Sequence, residues 1–185
     1  MSSVLKHRHW LPIGLLLLSA QAAANENPAG RTTTGDVGDV LEYAMPVAVL
    51  IATRVIDDGE GTREFAYGLG TTLLITHGLK AAVKKERPDG RDNKSFPSSH
   101  TAVAMHTAGF IHERYGIKKA WPVYLTAAFV GYSRVHDDRH DEQDVIAGAA
   151  IGYLAARYFT TTYNGVTVTP VASAEFFGVH IGSRF

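Results

Sequence analysis

Three short stretches carry residues whose types and spacing could do chemistry: Lys80 with Arg87-Pro88, then Pro97-Ser98-Ser99-His100, then Ser133-Arg134 with His140 and Asp144. Lys80, Arg87 and Arg134 offer fixed positive charge. An arginine fork can hold two phosphate oxygens at once, while a lysine acts as a compact point charge. A transferring phosphoryl group keeps its negative oxygens throughout, so placed cations and donors supply most of its stabilisation. Ser98, Ser99 and the free N–H groups of a helix start suit an anion. His100 has the usual side chain for proton transfer near neutral pH. Asp144 follows His140 by four residues, the helical spacing at which a carboxylate can hold one imidazole nitrogen and leave the other free to attack. Together these residues match what hydrolysis of a phosphate ester requires.

Each stretch alone also has a plainer reading. The segment from Lys80 to Arg87 reads as a basic helix end that offsets the helix dipole. Ser98 reads as an N-cap. The segment His136–Asp144 reads as a solvated charged loop, or as a metal site on His136, His140 and the neighbouring carboxylates, because those histidines have metal-ligand spacing. Co-occurrence favours the nucleophilic histidine. A metal hydrolase has no evident need of Lys80, Arg87 and Arg134, and a charged loop has none of His100.

In this order the stretches resemble the signature of the type 2 phosphatidic acid phosphatase superfamily, which spans bacterial acid phosphatases, membrane lipid phosphatases and vanadium haloperoxidases. The resemblance runs from Lys80 to Asp144. It implies a metal-free and cofactor-free phosphatase in an all-helical bundle. His140 would become a phosphohistidine, oriented by Asp144. His100 would protonate the leaving oxygen and then activate water. Lys80, Arg87, Arg134, Ser98 and the backbone at Ser99 would bind the phosphate oxygens. Ser99 stands where that family commonly has glycine, and the loop from Pro88 to Pro97 is shorter than usual.

The elements that must position these residues are helical. Val40, Leu41, Ala44, Val47, Ala48 and Ile51 recur at helical spacing, which predicts a first helix from Val37 with Asp36 as cap. A second should run from Thr62 to about Lys85, ending ahead of Arg87-Pro88. A third should run from Ser98 or Ser99 to Tyr115, stopped by Gly116, and a fourth from Lys118 to Arg134. The fifth should start near Asp138 and reach Tyr158, with Asp141, Glu142 and Asp144 at its positive end. Residues 160–185 are rich in Thr, Val and Phe and alternate near their end, which predicts a β-hairpin. The expected fold is therefore all-α: about five core helices with a short C-terminal hairpin. The helical core covers 37–159 and the whole phosphatase domain 37–185.

Composition bounds the partners. The chain has 185 residues and a formal net charge of +0, so no bulk field draws it to nucleic acid. Its partner is expected to be a phosphorylated small molecule or lipid. There are no cysteines. Lys6, His7 and Arg8, then Leu11 to Leu18, then Ala22-Ala23-Ala24 have the order of a secretory signal over 1–24. Residues 25–36 read as a polar lead-in. The expected setting is the periplasm or cell envelope. Uncharged runs such as Val145 to Tyr158 are shorter than a bilayer span requires. A soluble or peripheral protein is expected, with contact to a membrane surface left open.

Overall fold

A computed structural model describes residues 32–163, 166–172 and 177–183. The fold is all-helical, built from α1 (Thr33–Val55), α2 (Gly59–Val83), α3 (Ser99–Tyr115), α4 (Ile117–His136) and α5 (Glu142–Phe159). The signal expected over 1–24, and the lead-in up to Arg31, lie outside the described residues.

α1 starts earlier than its apolar pattern predicts, and Asp36 is not its cap. Thr32 is, its hydroxyl accepting from the Gly35 N–H at 3.1 Å and donating to Asp137 at 2.5 Å. The reason is close packing. A Cβ on Gly35 would lie 1.6 Å from an Asp137 oxygen, and one on Gly38 would lie 2.1 Å from the Ser133 hydroxyl. Gly35, which falls in the expected lead-in, and Gly38 together let α1 dock on the end of α4. α2 also starts early, because the Asp58 carboxylate caps it by accepting from the Gly61 N–H.

α3 is the central helix and packs on the other four. Its contact with α5 is made by small residues: a Cβ on Gly148 would sit 2.3 Å from the Ser98 carbonyl oxygen, and one on Gly152 would sit 2.0 Å from that of Ala102. On its other faces α3 supplies Val103 and Phe110 to a cluster with Val49, Phe65, Leu69 and Ala156, and Ala104 and Ala108 to one with Met45, Ala127 and Val130. Phe65 and Phe110 are fully buried and meet edge to face at 5.0 Å. Each such ring stabilises by about 2–3 kcal/mol through burial. At the end of the bundle opposite α3's start, Arg114 holds Asp58 through two contacts and bonds the Thr161 carbonyl at 2.9 Å. That clasp joins the α1–α2 turn to the exit of α5.

The start of α5 differs most from expectation. Residues 138–141 form a tight turn with Asp138 at φ 53°, in which the N–H groups of Arg139 and His140 both reach the Arg134 carbonyl. The helix begins only at Glu142, with Asp141 as N-cap. His140 thus lies one residue ahead of the N-cap instead of in the helix's first turn.

Beyond α5 the backbone forms two strands, β1 (Val166–Ala172) and β2 (Phe177–Ser183), paired antiparallel with Val168 opposite Ile181. The fold that is established is the five-helix one, and the C-terminal hairpin expected from the sequence is no part of that core. Among the described residues no helix is long and apolar enough to cross a membrane.

Candidate active site

The loop after α2 is sewn to the turn before α5. Asp89 N–H donates to the Asp138 carbonyl at 3.0 Å, Ser95 N–H to that of Lys85 at 2.9 Å, and Ser98 N–H to that of Asp144 at 2.9 Å. These bonds bring all three sequence stretches to one end of the bundle. Lys80 leaves the last turn of α2 half-buried, and its Nζ donates to the Lys94 carbonyl at 2.7 Å. Burial and then the neighbouring Arg87 charge lower its pKa to about 8. Arg87 is held by Asp92 at 2.9 Å.

His140 is buried and faces these cations. Burial, then the charges of Arg87, Lys80 and His100, hold its pKa far below the ordinary histidine value. The imidazole is therefore neutral at physiological pH, the form in which a ring nitrogen is nucleophilic. Its Nδ1 lies 3.7 Å from Asp144 Oδ2, beyond direct hydrogen-bonding distance. The Ser95 hydroxyl sits between them, 3.5 Å from Nδ1 and donating to Asp144 Oδ2 at 2.5 Å. Asp144 is completely buried, and its charge is met by Lys85 Nζ at 2.8 Å and the Asp141 N–H at 3.1 Å. The sequence pairs Asp144 with His140 alone. In the fold, Ser95 and Lys85 complete the arrangement.

His100 follows Ser99 in the first turn of α3. Its Nε2 lies 2.9 Å from Glu42 Oε2 and 3.2 Å from Asp39 Oδ1, both on α1. The Glu42 oxygen has no well-aligned donor, so that contact is an ion pair more than a directed hydrogen bond. Burial would lower the His100 pKa, but the Glu42 charge and the Asp39 contact outweigh it and raise the value. Asp39 is held well below the carboxylate range: burial would raise it, and His100 and Arg134 together overcome that.

Two expected phosphate ligands have other partners here. Arg134 is buried and gives Nη1 to Asp39 at 2.6 Å and Nη2 to the Gly35 carbonyl at 2.7 Å. Ser98 is fully buried as the N-cap of α3, its oxygen accepting from Thr101 N–H at 3.4 Å and Thr101 Oγ1 at 3.0 Å. Ser98 thus caps α3, with its hydroxyl turned to Thr101. Ser99 is half-buried at the first helical position, where backbone N–H groups have no partner within the helix.

The metal alternative meets a geometric obstacle. His136 is exposed at the end of α4, its ring stacked on Tyr132 at 5.5 Å, whereas His140 points inside. Among the described residues no three His, Cys, Asp or Glu side chains are grouped as ligands of one ion.

A family model described as the PAP2 superfamily matches residues 89–167. The lipid A 4'-phosphatase of Helicobacter pylori is 31% identical over 156 residues, covering 77% of this chain and 78% of that protein. The chain belongs to the PAP2 superfamily. A second relative, the lipid A 1-phosphatase of Porphyromonas gingivalis, is 44% identical over 91 residues, 46% of this chain and 20% of that much longer protein. The crystal structure of Aquifex aeolicus LpxE has a similar fold, with a TM-score of 0.60 at 20% identity over 78% of this chain and 93% of that one. The residues that sequence reading passes over are Asp39, Glu42, Lys85 and Ser95. Asp39 and Glu42 carry the one available signal: two carboxylates three apart, beside the apolar face of a helix.

Proposed function

We propose that the protein is a metal-independent phosphatase that removes phosphate from a lipid-linked monoester or diphosphate through a phosphohistidine at His140. One observation carries the reading: at one end of the bundle His140 is buried beside cations while His100 is paired with Asp39 and Glu42, so their pKa values are pushed in opposite directions. Environments that separate two titratable groups in this way assign the acid and the nucleophile.

His140 Nε2 attacks phosphorus while Nδ1 faces Ser95 and Asp144. The bond to the leaving oxygen breaks, and the imidazolium of His100 gives that oxygen a proton. Nε2 of His100 is occupied by Asp39 and Glu42, so Nδ1 is the donor. In the second half, Nδ1 takes a proton from water as the water oxygen attacks phosphorus. The phosphorus–nitrogen bond then breaks, free phosphate leaves and both histidines return to their starting states. Lys80, Arg87 and the N-terminus of α3 meet the phosphoryl oxygens, with Arg134 available once phosphate competes for it.

Two features support a lipid-linked substrate. The two relatives named above are lipid A phosphatases. An apolar groove of about 430 Å³ also opens between α1, α3 and α4, lined by Met45, Val49, Ala52, Ile56, Ile111 and Val123. Met45 is one turn beyond Glu42, so a chain attached to a phosphate at His100 could lie along it. The envelope is the proposed setting, with 1–24 as the export signal and the C-terminal hairpin as an appendage outside the catalytic end.

The test is phosphate release from an aryl phosphate and a lipid phosphate in the presence of EDTA. Wild type should release phosphate from both, and His140→Ala should lose at least about a thousandfold. Full activity in His140→Ala, or activity abolished by EDTA, would refute the mechanism. Filling the groove with Ala52→Trp should raise KM for the lipid and leave the aryl substrate unchanged.

A further inference from the structure

We infer that Asp39 and Glu42 of α1 are positioning residues that hold the ring of His100 as a proton donor to the leaving group, an inference that rests on the mechanism above. Both carboxylates converge on the same ring nitrogen, at 3.2 and 2.9 Å. Glu42 is buried, and an uncompensated carboxylate at such a place is costly. A protonated His100 is the cation that offsets it. Asp39 does two jobs, because the same oxygen that faces His100 accepts from Arg134 Nη1 at 2.6 Å. The approach is possible because position 38 is glycine: a Cβ there would lie 2.7 Å from Arg134 Nη2. α1 therefore contributes to the site through carboxylates that orient the acid and the arginine, although it lies outside all three chemical stretches.

The charged groups facing His100 come from several elements. α1 brings Asp39 and Glu42, α4 brings Arg134, and the turn before α5 brings His140. Lys80 of α2 acts on Glu42. The carboxylates outweigh the cations, so the pairing keeps His100 protonated to higher pH. Proton donation should then fail as pH rises through that raised value. Weakening the pair should bring the failure to lower pH.

The experiment compares Glu42→Gln and Asp39→Asn with wild type in kcat/KM against pH, on an alkyl phosphate and on p-nitrophenyl phosphate. The alkyl alkoxide needs a proton to leave and nitrophenolate does not. On the alkyl substrate the alkaline limb should shift down by about one pH unit in each variant. Above the limb that shift lowers kcat/KM about tenfold. The nitrophenyl substrate should change much less, and Asp39→Glu should restore part of the loss. NMR titration of the His100 ring in the same proteins should show its pKa falling in both variants. Equal losses on the two substrates, or an unchanged His100 pKa, would overturn the inference and leave the carboxylates as ties between α1 and the bundle. A wild type with no turnover would defeat the reaction mechanism alone, since the titration still decides whether the carboxylates hold the proton.

Discussion

The Ser95 hydroxyl lies between Asp144 Oδ2, at 2.5 Å, and His140 Nδ1, at 3.5 Å, where the sequence alone places a direct carboxylate–imidazole contact. Ser95→Ala should therefore lower kcat by about tenfold or more, as loss of a group that orients a catalytic nucleophile does. It should act on kcat far more than on KM, measured on an aryl phosphate. The substitution also removes a donor from a fully buried carboxylate, which costs about 1–3 kcal/mol of stability, read from denaturant unfolding. The reacting groups are legible in the sequence because chemistry restricts their types: a histidine followed by an aspartate four residues on, a second histidine at a helix start, and clustered cations. Ser95, Lys85, Asp39 and Glu42 are not, because a serine in a polar loop or a carboxylate on a helix matches many surface positions. Their roles exist only once α1 and the loop fold against α3 and α5.

At the scale of elements, the contact between α3 and α5 depends on missing side chains. Gly152→Ala would push a methyl onto the Ala102 carbonyl, 2.0 Å from the new Cβ, and Gly148→Ala would do the same to Ser98 at 2.3 Å. Overpacking of this kind costs about 1–3 kcal/mol, more than alanine gains in helix propensity. Both variants should melt at lower temperature. Gly148→Ala should also lose activity, because Ser98 starts the turn that carries His100. The sequence places α3 within a residue and each of the other helices within a few. It misplaces the starts of α1 and α5 because packing sets them: Gly35 looks like part of a polar lead-in until α4 lies against it, and the turn at Asp138 is fixed by bonds to the Arg134 carbonyl.

At the scale of the molecule, stability should depend on pH through a histidine the reaction does not use. His106 is completely buried, with burial lowering its pKa to about 4. The unfolded chain binds a proton near pH 6.5 and the folded one does not, so stability is present above that pH and lost as pH falls toward 4. This amounts to roughly 3 kcal/mol for His106. His140 acts in the same direction and His100 in the opposite one. Chemical denaturation across this range should show the loss, and His106→Gln should lessen it, leaving the share that His140 contributes.

The central claim is a covalent bond from phosphorus to His140, and trapping that bond tests it most directly. Wild type mixed with radiolabelled phosphoester in EDTA and quenched in alkaline denaturant should carry label on the peptide containing His140. That label should be lost in acid, as phosphohistidine is, and absent from His140→Ala. Label on any other residue, label persisting in His140→Ala, or steady turnover with no labelled protein at any time would contradict the account.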